Sequence, residues 1–136
     1  MGWLFGLAVE CGTDEADAQR LARELGPKVA AERTRVFRAS DGAVWAVLRP
    51  VVDSDDADAV ARASAAATEA LCQYGGPFRF GLAGVEVDEV RSWSELAEDI
   101  ADGTVLPGLV LSRDAWQVLG EPPDFAACGT AYLAET

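Results

Sequence analysis

Val36-Phe37-Arg38-Ala39-Ser40-Asp41-Gly42-Ala43-Val44-Trp45-Ala46-Val47-Leu48 consists of two strand-like runs joined at Asp-Gly. Asp-Gly accepts the positive φ angles of a type I′ turn with little strain. Val, Phe and Trp on both sides suit a pleated, half-buried surface. The stretch predicts a β-hairpin whose tip is the pair Asp41-Gly42. Pairing across that tip sets Phe37, Ala39, Val44, Ala46 and Leu48 on one face. Val36, Arg38, Trp45, Val47 and Arg49 then lie on the other.

The elements on either side of the hairpin are nearly symmetric. Before it, the apolar run from Trp3 to Val9 predicts a first strand. Thr13 as N-cap, with Asp14, Glu15 and Asp17 behind it, opens a helix that runs to Leu25 and stops at Gly26-Pro27. After it, Asp53, Asp55, Asp56 and Asp58 open a second helix. Val60, Ala63, Ala67, Leu71 and Tyr74 form its apolar stripe, and Gly75-Gly76-Pro77 ends it. Phe78 to Val85 predicts a fourth strand, whose glycines mark a bulge or a close backbone approach.

The order β-α-β-β-α-β over residues 3 to about 87 resembles the ferredoxin-like split βαβ fold. That resemblance implies an α+β core with a four-stranded antiparallel sheet and two helices on one face. The fold hosts many unrelated functions, so it implies no chemistry. One sheet face then carries Val36, Trp45 and Val47, an apolar surface too large to leave wet. Either the C-terminal extension or a partner covers it, and the extension is expected to pack there. Ser92 caps a helix over Trp93, Leu96, Ala97 and Ile100. Gly108 to Leu111 reads as a short strand, Ser112 caps a helix from Arg113 to Leu119, and Ala131 to Ala134 reads as a last strand. The expected organisation is a single domain over 1–136, with a core at 1–87 and a C-terminal α/β extension at 88–136 packed on it.

The formal charge is −12 over 136 residues. Such a chain is repelled by nucleic acid and by anionic membranes, and attracts a basic partner. The charge is uneven. Residues 1–84 hold 12 acids and 9 bases, whereas residues 85–136 hold 11 acids and 2 bases. The densest acidic run is Glu86, Asp88, Glu89, Glu95, Glu98, Asp99 and Asp102, with Trp93 inside it and only Arg91 opposed. Carboxylates around an aromatic suit capture of a basic protein, because the charges raise the on-rate and the ring anchors the complex. These eight residues, Trp93 included, are the candidate partner-binding set. A solvated acidic face with Trp93 in the core is the plainer alternative.

Histidine is absent. That removes the commonest general base, the usual triads and most zinc and transition-metal sites. No phosphate-binding glycine loop is present. Asp53, Asp55, Asp56 and Asp58 lack the glycine and terminal Glu of an EF-hand and read better as acids at a helix start. Cys11, Cys72 and Cys128 have neither disulfide-framework nor zinc spacing, and read as buried reduced thiols. Cys11, ahead of a helix, is the candidate for a reactive thiol. No cofactor, no metal and no catalytic residue is expected.

The profile resembles that of small bacterial immunity and inhibitor proteins, the class to which barstar belongs: short, acidic, without a catalytic constellation, with Trp and carboxylates in one region. The resemblance implies a cytoplasmic, non-enzymatic protein that neutralises a basic toxin or effector by capping its active site. Two alternatives stand beside it. One is an adaptor or structural subunit that homodimerises through the apolar sheet face. The other is a regulatory domain with a small ligand between sheet and extension.

Overall fold

In a computed structural model, which describes residues 6–50, 52, 55–84 and 91–135, the hairpin forms at the expected place with a different turn. The strands are β2 (Ala31–Arg38) and β3 (Val44–Pro50). Gly42 N–H donates to the Ala39 carbonyl at 3.0 Å and Ala39 N–H to the Ala43 carbonyl at 2.8 Å. Only the glycine of the tip has positive φ, at 88°. This is a three-residue loop, a type I turn followed by a glycine in the left-handed region. The Asp41 carboxylate braces it by accepting from Ala43 N–H at 3.0 Å. The extra loop residue shifts the register, so that Phe37 faces Trp45 and Val36 faces Ala46. A one-residue slip turns a strand over. Phe37 therefore shares the face of Trp45, and Val36 packs toward the opposite face, against the expected assignment.

Strand β1 (Leu7–Glu10) lies between β3 and β4 (Phe80–Ala83). Trp3 and Phe5 fall outside the described residues. Helix α1 (Glu15–Leu25) is capped by Asp14 rather than Thr13, through a 2.9 Å bond from Ala16 N–H. Helix α2 (Ala57–Cys72) is capped by Asp56, which accepts from Asp58 and Ala59 N–H. Its buried residues are Ala67, Ala70, Leu71 and Cys72, with Val60 and Ala63 only half-buried. Gly81 of β4 has a packing reason: a Cβ there would overlap the Leu71 side chain of α2. The close approach, one of the two readings of the β4 glycines, is the one realised here.

Among the described residues the sheet has seven antiparallel strands in the order β2-β3-β1-β4-β5-β7-β6, which corrects the expected four. Phe80, Gly81 and Leu82 pair with Leu111, Val110 and Leu109 of β5 (Leu109–Ser112). Beyond it stand β7 (Ala131–Ala134) and β6 (Phe125–Cys128). An apolar strand such as β4 left as an edge would expose a row of unpaired backbone groups, and β5 takes them up. β6 follows Pro122-Pro123 and was not expected as a strand.

Each face of the sheet has its own helices. Leu7, Val9, Val44, Ala46 and Leu48 point to α1 and α2 and meet Leu21, Leu25 and Leu71. Ala8, Trp45, Val47, Phe80 and Leu82 point the other way. They meet Leu96 of α3 (Trp93–Ala101) and Ala115 of α4 (Arg113–Val118), with Trp93, Ile100, Trp116 and Leu119 around them. The result is a three-layer α/β/α arrangement. With both faces covered, β1 and the first five residues of β3 are buried throughout, so they read as apolar runs rather than alternating ones. Among the described residues no helix is long and apolar enough to cross a membrane.

Candidate functional site

Helix α3 carries the described part of the acidic run. Ser92 caps it, accepting from Glu95 N–H. Leu96 is fully buried against the sheet, which fixes the helix's rotation and turns Glu95, Glu98 and Asp102 to solvent. Residues three and four apart share a helix face, so these three form one exposed stripe. Asp99, half-buried, is ion-paired to Arg91. The last turn holds no base. Glu98, Asp99 and Asp102 thus stand at the negative end of the helix dipole, where carboxylates are disfavoured. The earlier cluster differs, since Asp56 caps α2 and Asp58 lies in its first turn. Glu86, Asp88 and Glu89 lie outside the described residues, as does Asp53.

Trp93 lies at the start of α3 and is half-buried. Its ring stacks on Phe80 at 5.8 Å, and Phe80 meets Trp45 edge-on at 5.4 Å. The Arg79 guanidinium sits 5.4 Å from the Trp93 ring centroid. Arg79 is in turn ion-paired to Glu10.

Glu10 was not legible as special. It ends β1 opposite both Trp45 and Phe80 and is fully buried. Its Oε2 has no hydrogen-bond partner among the described residues. Burial raises its carboxyl pKa, Asp41 adds to the rise, and Arg79 opposes it. The signal that was available is a lone acid closing an apolar strand, with an Arg between two Phe residues elsewhere in the chain. A buried charge needs a partner, and Arg79 is the one this fold brings to it.

The Cys11 thiol is not activated. Burial, aided by Asp17 and Glu10, pushes Cys11 up to about 12, which agrees with the buried-thiol reading and tells against the reactive-thiol alternative. Among the described residues no three His, Cys, Asp or Glu side chains converge on a metal-sized site. The space between the sheet and α3 and α4 is filled by Trp45, Phe80, Leu82, Leu96, Leu109 and Leu111. A surface cleft of about 370 Å³ between α1 and β2 is lined by Gln19, Ala22, Arg23, Thr34 and Val36.

Compared with known protein families, curated proteins and solved structures, the chain finds no match in any of the three.

Proposed function

We propose that this is a small cytoplasmic, non-enzymatic protein that captures a basic protein partner through the solvent face of α3, as an immunity or inhibitor protein covers the active site of a toxin or effector. The observation that carries the reading is the placement of the exposed Glu98 and Asp102 in and just after a last helical turn that holds no base. Local stability disfavours carboxylates there. A cationic partner would reverse that, because its Lys and Arg side chains would complete the ion pairs that the helix itself lacks. Trp93, half-buried on the sheet-facing side of α3, is held by Phe80 and Arg79, so the part of its ring left exposed would meet a partner as a preset surface. The first four strands follow β2-β3-β1-β4 with helices α1 and α2 on one side. This supports reading the N-terminal half as a ferredoxin-like unit that acts as scaffold.

The homodimer alternative loses its surface. Trp45 and Val47 are 2% and 9% exposed beneath α3 and α4. Among the described residues Val118 is the large apolar side chain left widely exposed, at 75%.

The test is a paired capture experiment. Wild type and a Glu95→Lys, Glu98→Lys, Asp102→Lys variant are immobilised and exposed to extract from the source cells. A third protein, with Asp55→Lys, Asp58→Lys and Glu69→Lys at the start of and along α2, changes the net charge by the same amount. A basic protein held by wild type and by the control, but not by the α3 variant, is the expected result. Equal retention by all three would move the binding surface off α3.

A further inference from the structure

Cys72 closes α2 and Cys128 closes β6, far apart in the chain. The fold brings them together through the turn after Cys128. Thr130 N–H donates to the Cys72 carbonyl at 2.7 Å. The Thr130 hydroxyl reaches the same carbonyl at 3.0 Å and that of Tyr74 at 2.7 Å. Gly129 lies so close that a Cβ would overlap the Cys72 carbonyl. The β6–β7 turn is therefore pinned to the C-terminal end of α2. One residue before that turn, Cys128 packs against the core cluster that contains Cys72. Cys128 is near enough to bear on the Cys72 thiol, and both are free.

We propose that Cys72 and Cys128 are a reversible dithiol–disulfide pair, oxidised by a low-molecular-weight disulfide, whose bridge ties the β6–β7 hairpin to α2. The order of attack follows from exposure. Cys128 is half-buried, and Cys72 is buried with its thiol pushed up to about 12, so Cys128 is the entry point. Its thiolate attacks one sulfur of the small disulfide. That S–S bond breaks, a mixed disulfide forms on Cys128, and one small thiol leaves with a proton. Cys72, losing its proton to solvent, then attacks the Cys128 sulfur and expels the second small thiol. Two protein thiols lose two electrons and two protons, and the small disulfide gains them. Cys11 takes no part: it is buried and its thiol faces the Val9 carbonyl.

The bridge closes a loop of more than fifty residues that holds α3, β5 and α4, so it constrains the segment carrying the acidic stripe. In a reducing compartment it would be transient. The inference does not depend on the proposed function.

The experiment uses the full chain, reduced and then incubated with mixtures of reduced and oxidised glutathione. Acid quenching, alkylation in denaturant and intact mass follow. Alkylatable thiols should fall from three to one, with the loss of the mass of two hydrogen atoms and a peptide linking Cys72 to Cys128. The oxidised form should unfold at a temperature higher by on the order of 10 °C. Cys72→Ser should stop at a glutathione adduct on Cys128, and Cys128→Ser should form no bridge. Three alkylatable thiols after oxidation, a bridge that includes Cys11, or a glutathione adduct alone on wild type would each overturn the proposal. The wild-type readout stands even if a Ser variant fails to fold.

Discussion

Glu10 closes a strand whose other three residues are Leu, Ala and Val, and it is buried as fully as they are. Burial raises its pKa above the ordinary carboxyl value of 4.5, in spite of Arg79. The folded state then holds the Glu10 proton more tightly than the unfolded state does. The Glu10 contribution to stability is complete below about pH 4.5 and is lost as pH rises through the raised folded value. Glu10→Gln has no such titration, and comparing the two proteins cancels the other acids. The unfolding free energies should therefore draw apart in the variant's favour between pH 4.5 and pH 8, as measured by urea denaturation. A difference that stays constant with pH would show that Arg79 has neutralised the burial effect. The local sequence shows only a lone acid closing an apolar strand, because the environment that buries Glu10 is made by strands β3 and β4 and by Arg79, all distant in the chain. Leu71 was legible because helical spacing marks a buried stripe without knowledge of the partner.

At the scale of elements, the hairpin was legible in place but not in register. Asp-Gly serves a two-residue type I′ loop and equally the three-residue loop found here, since both need a glycine with positive φ. The choice rests on tertiary packing, which puts Phe37 beside Trp45 and Val36 over α1. Gly42 has open space where a Cβ would go and a φ of 88°. Gly42→Ala should then be a purely conformational change that destabilises by about 1–2 kcal/mol, read as a lower urea midpoint with an unchanged slope. An unaltered midpoint would mean that position 42 carries no conformational strain and would contradict the turn described here. Helix α3 was legible from Ser92 and its apolar spacing. Its acidic stripe was legible as composition, while the exposure of Glu95, Glu98 and Asp102 needed the docking of Leu96. β6 escaped notice because Phe-Ala-Ala-Cys has little strand character and follows two prolines.

For the whole molecule, the C-terminal segment is part of both the sheet and the core. β5 covers the edge of β4, and α3 and α4 cover Trp45, Phe80 and Leu82. A chain ending at Arg91 would open an aromatic face and a bare strand edge together. Such a fragment should fail to give a stable monomer by size-exclusion chromatography and should lose cooperative thermal unfolding. A cooperative monomeric fragment would make the C-terminal segment an accessory layer. The other edge of the sheet is guarded differently, with Glu32, Arg33, Arg35 and Arg38 exposed along β2, charges that discourage edge-to-edge pairing.

On the proposed reading, the N-terminal strands and helices are the scaffold and the acidic face of α3 would be the surface for a partner. The most direct test is the association rate of the captured basic protein, measured at low and moderate salt against wild type, the α3 charge-reversal variant and the α2 control, after each is shown to be folded. Steering charges act on encounter and are screened by salt. Reversing Glu95, Glu98 and Asp102 should slow association by at least ~10-fold at low salt and flatten its salt dependence, while the control stays near wild type. An equal slowing in both variants, or a loss confined to the α2 control, would contradict the account.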